Sequence, residues 1–375
     1  MTAISQDPFA EIRPYNDAEV PEVVARLLHT PEFIDALTRF RYPTAHAWVG
    51  PVLRPLVRWT LRRQLARVTC VASMQQLIAR YMQRMVDGTT ATLSYSGLER
   101  LSPDQAYLFI SNHRDIAMDP AFVNWGLVSR NMATVRIAIG DNLLRKPYVS
   151  DLMRLNKSFI VKRSLKGVRE KLAALMQLSS YINHSIQEGH SIWIAQREGR
   201  AKDGNDQTDP AILKMLYVSQ KKQADFAVAI KQLHIVPVAI SYEYDPCDAA
   251  KARELQALAT DGCYQKSQYE DIESIVRGIT GFKGDVHVSF GEPLQGDYAT
   301  AEELAQAIDA AIRANYRLHG SNLTAVGELE TVPAAKQQAY RERRDAVPED
   351  ARAWFDRMYA NPVLNQRQQQ GGEGG

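Results

Sequence analysis

Seven short apolar runs, most of them separated by stretches of helical periodicity, constrain the fold of this chain more than any other feature. They are Thr90–Tyr95, Tyr107–Ser111, Thr134–Ile139, Ser158–Lys162, Ser191–Gln196, Ile235–Tyr242 and Asp285–Phe290. The helical patterns between and after them cover Pro120–Val128, Gly167–Glu188, Pro210–Ile230, Ala249–Ala259 and Thr300–Arg317. Strands that alternate with helices bury both faces of their sheet, so the expected class is α/β, with a mixed, largely parallel sheet flanked by helices. A chain of 375 residues, 45% hydrophobic and 23% charged, has the composition for such a core and excludes a fibrous or mainly disordered protein. No apolar run approaches the roughly 18 residues of a membrane-spanning helix. The opening MTAISQDPFAEIRPY lacks a basic stretch followed by an apolar core, so no signal peptide is expected. Three widely spaced cysteines, Cys70, Cys247 and Cys263, form neither a disulfide framework nor a paired metal motif, and fit a reducing compartment.

The formal net charge of +2 hides a segregation of charge. Residues 17–40 read as helix, and from Ala36 to Val86 there is no Asp or Glu while nine arginines occur. Pro55 suits the first turn of a helix, after which Val57, Leu61, Leu65 and Val68 share one face. Arg58 and Arg62 flank that face, with Arg63 and Arg67 round the other way. An apolar stripe edged by arginines can enter the acyl boundary of a bilayer while the basic stems reach anionic headgroups. The plainer reading is a surface helix packed on the core; the missing acids favour the membrane surface. Three segments are therefore expected: an Arg-rich helical membrane-associating region (1–88), an α/β domain (89–320), and a helical C-terminal extension (321–375) whose last residues, NQRQQQGGEGG, read as disordered.

Candidate chemistry begins at the strand-to-helix junction LFISNHRDIAMDPAF, residues 108–122. Ligands gather at such strand ends in α/β sheets. The imidazole of His113 can act as a general base, and a carboxylate on its second nitrogen would fix its tautomer. Asp119 and Asp115 both qualify as that carboxylate. A capping network, with these carboxylates satisfying backbone donors, explains the same residues without chemistry. The string His113-Arg114-Asp115 also spells the catalytic loop of a kinase, but no glycine-rich loop precedes it, no DFG follows, and Pro120 stands where the loop asparagine belongs.

Three later blocks stand in order behind the first: SFIVKRS (158–164), IWIAQREGRAKDG (192–204) and HIVPVAISYEYDP (234–246). Together the four resemble the glycerolipid acyltransferase family over about residues 90–295, with GDVHVSFGEPL (284–294) similar to its closing strand. The family's first block places four residues between a catalytic His and Asp; here five separate His113 from Asp119. Its second block, which helps bind the acceptor's phosphate, corresponds to Phe159–Ser164 and gives that role to Lys162 and Arg163. Its third block corresponds to Glu198, Gly199 and Arg200, one residue short of the family's form. Its fourth corresponds to Val236–Glu243, with Pro237 as a pocket wall.

The resemblance implies an O-acyltransferase that moves a fatty acyl group from acyl-CoA or acyl carrier protein to 1-acylglycerol-3-phosphate, making phosphatidic acid. Glycerol-3-phosphate and another lysolipid are the alternative acceptors. A silent lipid-binding protein that kept the fold is the alternative from another class. The thioester is a co-substrate, and neither a cofactor nor a metal is expected. The expected partners are an anionic phospholipid membrane and an acyl carrier protein, with no nucleic acid. The expected location is cytoplasmic, at the inner face of the cell membrane.

Overall fold

The computed structural model describes residues 7–42, 46–267 and 270–372. Helices α1 (Val20–His29), α2 (Pro31–Arg41), α3 (His46–Leu65) and α4 (Val71–Thr89) come first. Then follow β1 (Thr92–Ser96), β2 (Leu108–Ser111), α5 (Met118–Ser129), β3 (Arg136–Gly140), α6 (Pro147–Leu155), β4 (Ser158–Val161), α7 (Val168–Gln187) and β5 (Ile192–Ala195). After them come α8 (Pro210–Tyr217), α9 (Phe226–Lys231), β6 (Ile235–Tyr242), α10 (Asp248–Asp261), α11 (Glu270–Thr280), β7 (Asp285–Phe290) and α12 (Ala301–Asn315). The chain closes with α13 (Gly320–Ala325), α14 (Ala334–Asp345) and α15 (Arg352–Gly372). The class is α/β, and all seven expected strands form.

Two compact units divide the chain: residues 1–81 with 136–177, and residues 82–135 with 178–375. This partition differs from three consecutive segments. Residues 136–177 group with the N-terminal helices, and the C-terminal extension belongs to the unit that holds β1, β2 and β5–β7.

In the second unit the strand order is β1-β7-β6-β2-β5. β2 pairs in parallel with both β5 and β6, β1 is parallel to β7, and β6 to β7 is the antiparallel step. Every residue of β2 and β6 is buried, as continuous apolar runs such as IVPVAISY require of strands covered on both faces. β1, at the edge, is partly exposed throughout. The helix α12 packs on β6, with Leu304, Ile308 and Ile312 buried. Farther along, Tyr340, Val347, Phe355, Met358 and Tyr359 of the C-terminal segment close a core cluster with Ala252 of α10. The expected disorder of the tail is corrected for residues 365–372, which continue α15. Gln366 is the physical reason: its amide donates to the carbonyls of Arg313 and Tyr316 at 2.8 and 2.6 Å.

In the first unit β3 and β4 pair in parallel, and the core gathers the apolar face of α1 (Val20, Val23, Val24, Leu27) with Phe33, Ile34 and Leu155. Here the expected outward stripe is corrected. Leu65 and Val68 are buried in this same core and Leu61 packs against it, so that face points into the protein. Pro55 lies within α3 rather than at its start. Among its described residues α3 exposes the large apolar side chains of Val52, Leu56 and Trp59, and the Arg63 guanidinium lies 4.1 Å from the Trp59 ring. Arg58, Arg62, Arg63 and Arg67 are exposed. Among the described residues no helix is long and apolar enough to cross a membrane.

Candidate active site

The junction from β2 to α5 is built around one buried carboxylate. Asp119 Oδ2 accepts from His113 Nδ1 at 2.8 Å and from the backbone N–H groups of Arg114 and Asp115 at 2.6 and 3.0 Å. Its other oxygen, Oδ1, accepts the Tyr242 hydroxyl at 2.6 Å. Asp119 is fully buried, while the His113 side chain keeps 13% of its surface. With Nδ1 engaged, Nε2 is the ring nitrogen left for a substrate. Burial first, then the adjacent Asp119, pushes the Tyr242 phenol well above its ordinary range, so it keeps its proton and donates it.

Asp115, the competing partner, does different work. Its Oδ1 accepts the backbone N–H groups of Ala117 and Met118 at 2.9 and 2.8 Å, which caps the start of α5. Oδ2 of Asp115 has no partner among the described residues, and burial, with the charge of Asp119 second, raises the carboxyl to about 6. The five-residue separation is thus absorbed by a capped turn that delivers Asp119, not Asp115, to the imidazole.

Neighbouring strands hold His113 from three sides. The Trp193 ring of β5 stands edge-on to it at 5.6 Å, and the Trp193 indole N–H donates to Ser111 Oγ at 3.0 Å. Asn112 bridges to β6, donating to the Ile240 carbonyl at 2.9 Å and accepting its N–H at 2.8 Å. Ala201 N–H donates to the His113 carbonyl at 2.9 Å, and this ties the third sequence block directly to the first. Beneath the junction the buried Arg114 pairs with Asp206 at 2.7 Å. Lys251 Nζ, also buried, donates to the Arg114 carbonyl at 2.7 Å and pairs with Asp245.

The third block forms the loop after β5. Glu198 and Gly199 are exposed at its tip, Gly199 at φ +77°. Arg200 turns inward: Nη2 reaches Ser274 Oγ at 3.3 Å, and Nη1 is buried with no partner among the described residues. Pro237 is buried in β6 opposite Ile110; five residues from Tyr242, it faces the other side of the sheet. Lys162 and Arg163 follow β4 in the first unit, where Lys162 pairs with Glu11 at 2.5 Å and the Arg163 backbone N–H donates to Asp141 at 3.1 Å. Sequence reasoning missed Trp193, Tyr242, Asp206 and Lys251 as parts of the site. Tyr242 stood inside a quoted block, but nothing local marks which strand residue reaches Asp119.

A histidine held in one tautomer by a buried carboxylate, with one nitrogen left over, can take a proton from a hydroxyl nucleophile. A family model described as Acyltransferase matches residues 92–241, from the first residue of β1 to within one residue of the end of β6. Over that span the chain is similar to the acyltransferase family. The matched segment contains His113 and Asp119, the first three sequence blocks whole and the fourth as far as Ser241, and it supports acyl transfer as the class of chemistry. No curated protein matches it by sequence. Among solved structures, the 1-acyl-sn-glycerophosphate (LPA) acyltransferase PlsC from Thermotoga maritima is similar at 16% identity and a TM-score of 0.38, over 76% of this chain and 94% of that one.

Proposed function

We propose that this acyltransferase moves a fatty acyl group from the thioester of acyl-CoA or acyl carrier protein to the free hydroxyl of 1-acylglycerol-3-phosphate, forming phosphatidic acid. The observation that carries the reading is the His113 Nδ1–Asp119 contact of 2.8 Å beneath a partly exposed ring. His113 Nε2 takes the hydroxyl proton as the oxygen attacks the thioester carbonyl. The C–S bond then breaks, and the departing thiolate takes the proton back from the imidazolium. Asp119 stays ionised and steadies the imidazolium between the two transfers.

The inward Arg200, with a guanidinium nitrogen unused by the protein, supports a phosphate-bearing acceptor, since guanidinium groups bind phosphate bidentately. Lys162 and Arg163 add positive charge in the first unit. The Lys162–Glu11 pair is solvent-exposed on the Glu side, and a pair of that kind gives way to a phosphate at little cost. The exposed Val52, Leu56 and Trp59 of α3, with Arg58, Arg62, Arg63 and Arg67 on the same helix or just past its end, support an anionic membrane face as the place of work.

The test is acyl transfer from labelled acyl-CoA and acyl carrier protein to 1-acylglycerol-3-phosphate, glycerol-3-phosphate and a lyso-aminolipid, each beside His113→Ala. We expect turnover on the first acceptor and its loss by about a thousandfold or more in the variant. Turnover confined to another acceptor would reassign the substrate. Folded, vesicle-bound protein inert on all three would point to a lipid binder.

A further inference from the structure

We infer that the first half of α7 carries a second lipid-docking face, distinct from α3, whose occupant is an anionic phospholipid surface. Val168, Leu172, Leu175 and Met176 recur at helical spacing and are 83%, 56%, 41% and 41% exposed. Solvated helices place single apolar residues outside at random, but four on one stripe make a patch that calls for cover. The exposed apolar residues of the second unit, such as Val228, Phe282 and Leu364, lie singly on separate elements.

Charge selects the occupant. Lys166, Arg169 and Lys171 surround the stripe and are exposed, with Glu170 the lone acid. The unit that holds it carries 20 Lys and Arg against 10 Asp and Glu, whereas the other unit carries 25 against 33. An aliphatic and thioether stripe with flanking ammonium and guanidinium stems enters the acyl boundary while its cations meet headgroup phosphates. A protein partner would ask for more: interface cores favour aromatic anchors and matched hydrogen bonds, and this stripe has neither.

The inference deepens the membrane reading of the first unit and rests on it. The experiment is flotation of the full chain with vesicles of phosphatidylglycerol and phosphatidylcholine, and with phosphatidylcholine alone. It compares wild type, the triple variant Leu172→Gln, Leu175→Gln, Met176→Gln, and Val228→Gln. We expect the triple variant to bind anionic vesicles about tenfold more weakly, with Val228→Gln unchanged and neutral vesicles bound by none. If the triple variant melts early, Val168→Gln at the most exposed position carries the test, with an expected loss of about threefold. Binding within about twofold of wild type in a folded variant overturns the inference. Unchanged vesicle binding with transfer lost from acyl carrier protein but kept from acyl-CoA also overturns it, and assigns the face to an acidic protein. Wild-type turnover on a short-chain acceptor below its micelle concentration is read alongside. Its absence would remove the acyl-transfer reading while the vesicle result stands on its own.

Discussion

At the scale of single residues, the proposed chemistry depends on how Asp119 is shared. The carboxylate accepts one bond from the imidazole, two from backbone N–H groups and one from Tyr242. Tyr242 is buried and spends its hydroxyl on Asp119, which makes it a positioning residue acting through that carboxylate in the proposed reaction. Its hydroxyl draws charge from the carboxylate, and its removal leaves more negative charge beside His113. Tyr242→Phe should therefore lower kcat by about tenfold and move the acid limb of the kcat/KM profile to higher pH by several tenths of a unit. A loss of activity with the limb unmoved would show a packing role only.

Asp115 makes a second residue-scale prediction. Its folded-state value of about 6 lies above the ordinary 3.8, so between those values the folded protein binds the extra proton. Stability contributed by that proton is full below about pH 4 and is lost as pH rises through about 6. Asp115→Asn keeps an acceptor for the Ala117 and Met118 N–H groups and removes the titration. Denaturant titrations from pH 4 to 7 should show the wild type losing about 2 kcal/mol relative to the variant. Parallel curves would refute the assignment.

At the scale of elements, the loop after β5 is held by a helix far along the chain. Gly204 adopts φ +76°, and a Cβ there would lie 2.1 Å from the Met358 carbonyl oxygen of α15. The amide of Asn361, one turn on, donates to the Asp203 carbonyl at 2.7 Å. Gly204→Ala meets both backbone strain and a clash with main chain that cannot swing away. We expect it to cost about 2 kcal/mol or more by thermal melting and to lower turnover through displacement of Arg200. A melting temperature unchanged from wild type would show that α15 gives way.

The same elements show what was legible. Each strand was readable because an apolar run of four to eight residues has few other uses. Residues 17–40 read as one helix, yet Pro31 opens a second after the extended Thr30. The single helix expected over 210–230 is likewise two, α8 and α9. The periodicity of α3 was visible, but apolar spacing cannot say which face a core will claim.

At the scale of the whole molecule, the sequence total of +2 is the sum of a unit at +10 and a unit at −8. On the proposed membrane reading, charge divided in this way acts on an anionic surface through a sum of screened attractions rather than one contact. Replacing Arg58, Arg62, Arg63 and Arg67 with Gln should release the protein from anionic vesicles at about 0.15 M salt and leave its melting temperature unchanged. Wild-type binding should fall steeply as salt is raised. Binding indifferent to both changes would leave no role for these arginines.

The sequence by itself determined the α/β class, the order of the four blocks, the place of His113 at the end of a strand and the excess of arginine near the N-terminus. These are properties of composition, periodicity and local order along the chain. Tertiary structure decided the choice of Asp119 over Asp115, the hydroxyl of Tyr242 on the same carboxylate, and the support of the Arg200 loop by α15. It also decided which face of α3 meets water. Each of those outcomes sets residues beside others distant in the chain, or spends a carboxylate on a cap instead of a ring. Only the packed protein settles which polar group finds which partner, because burial leaves each one few alternatives.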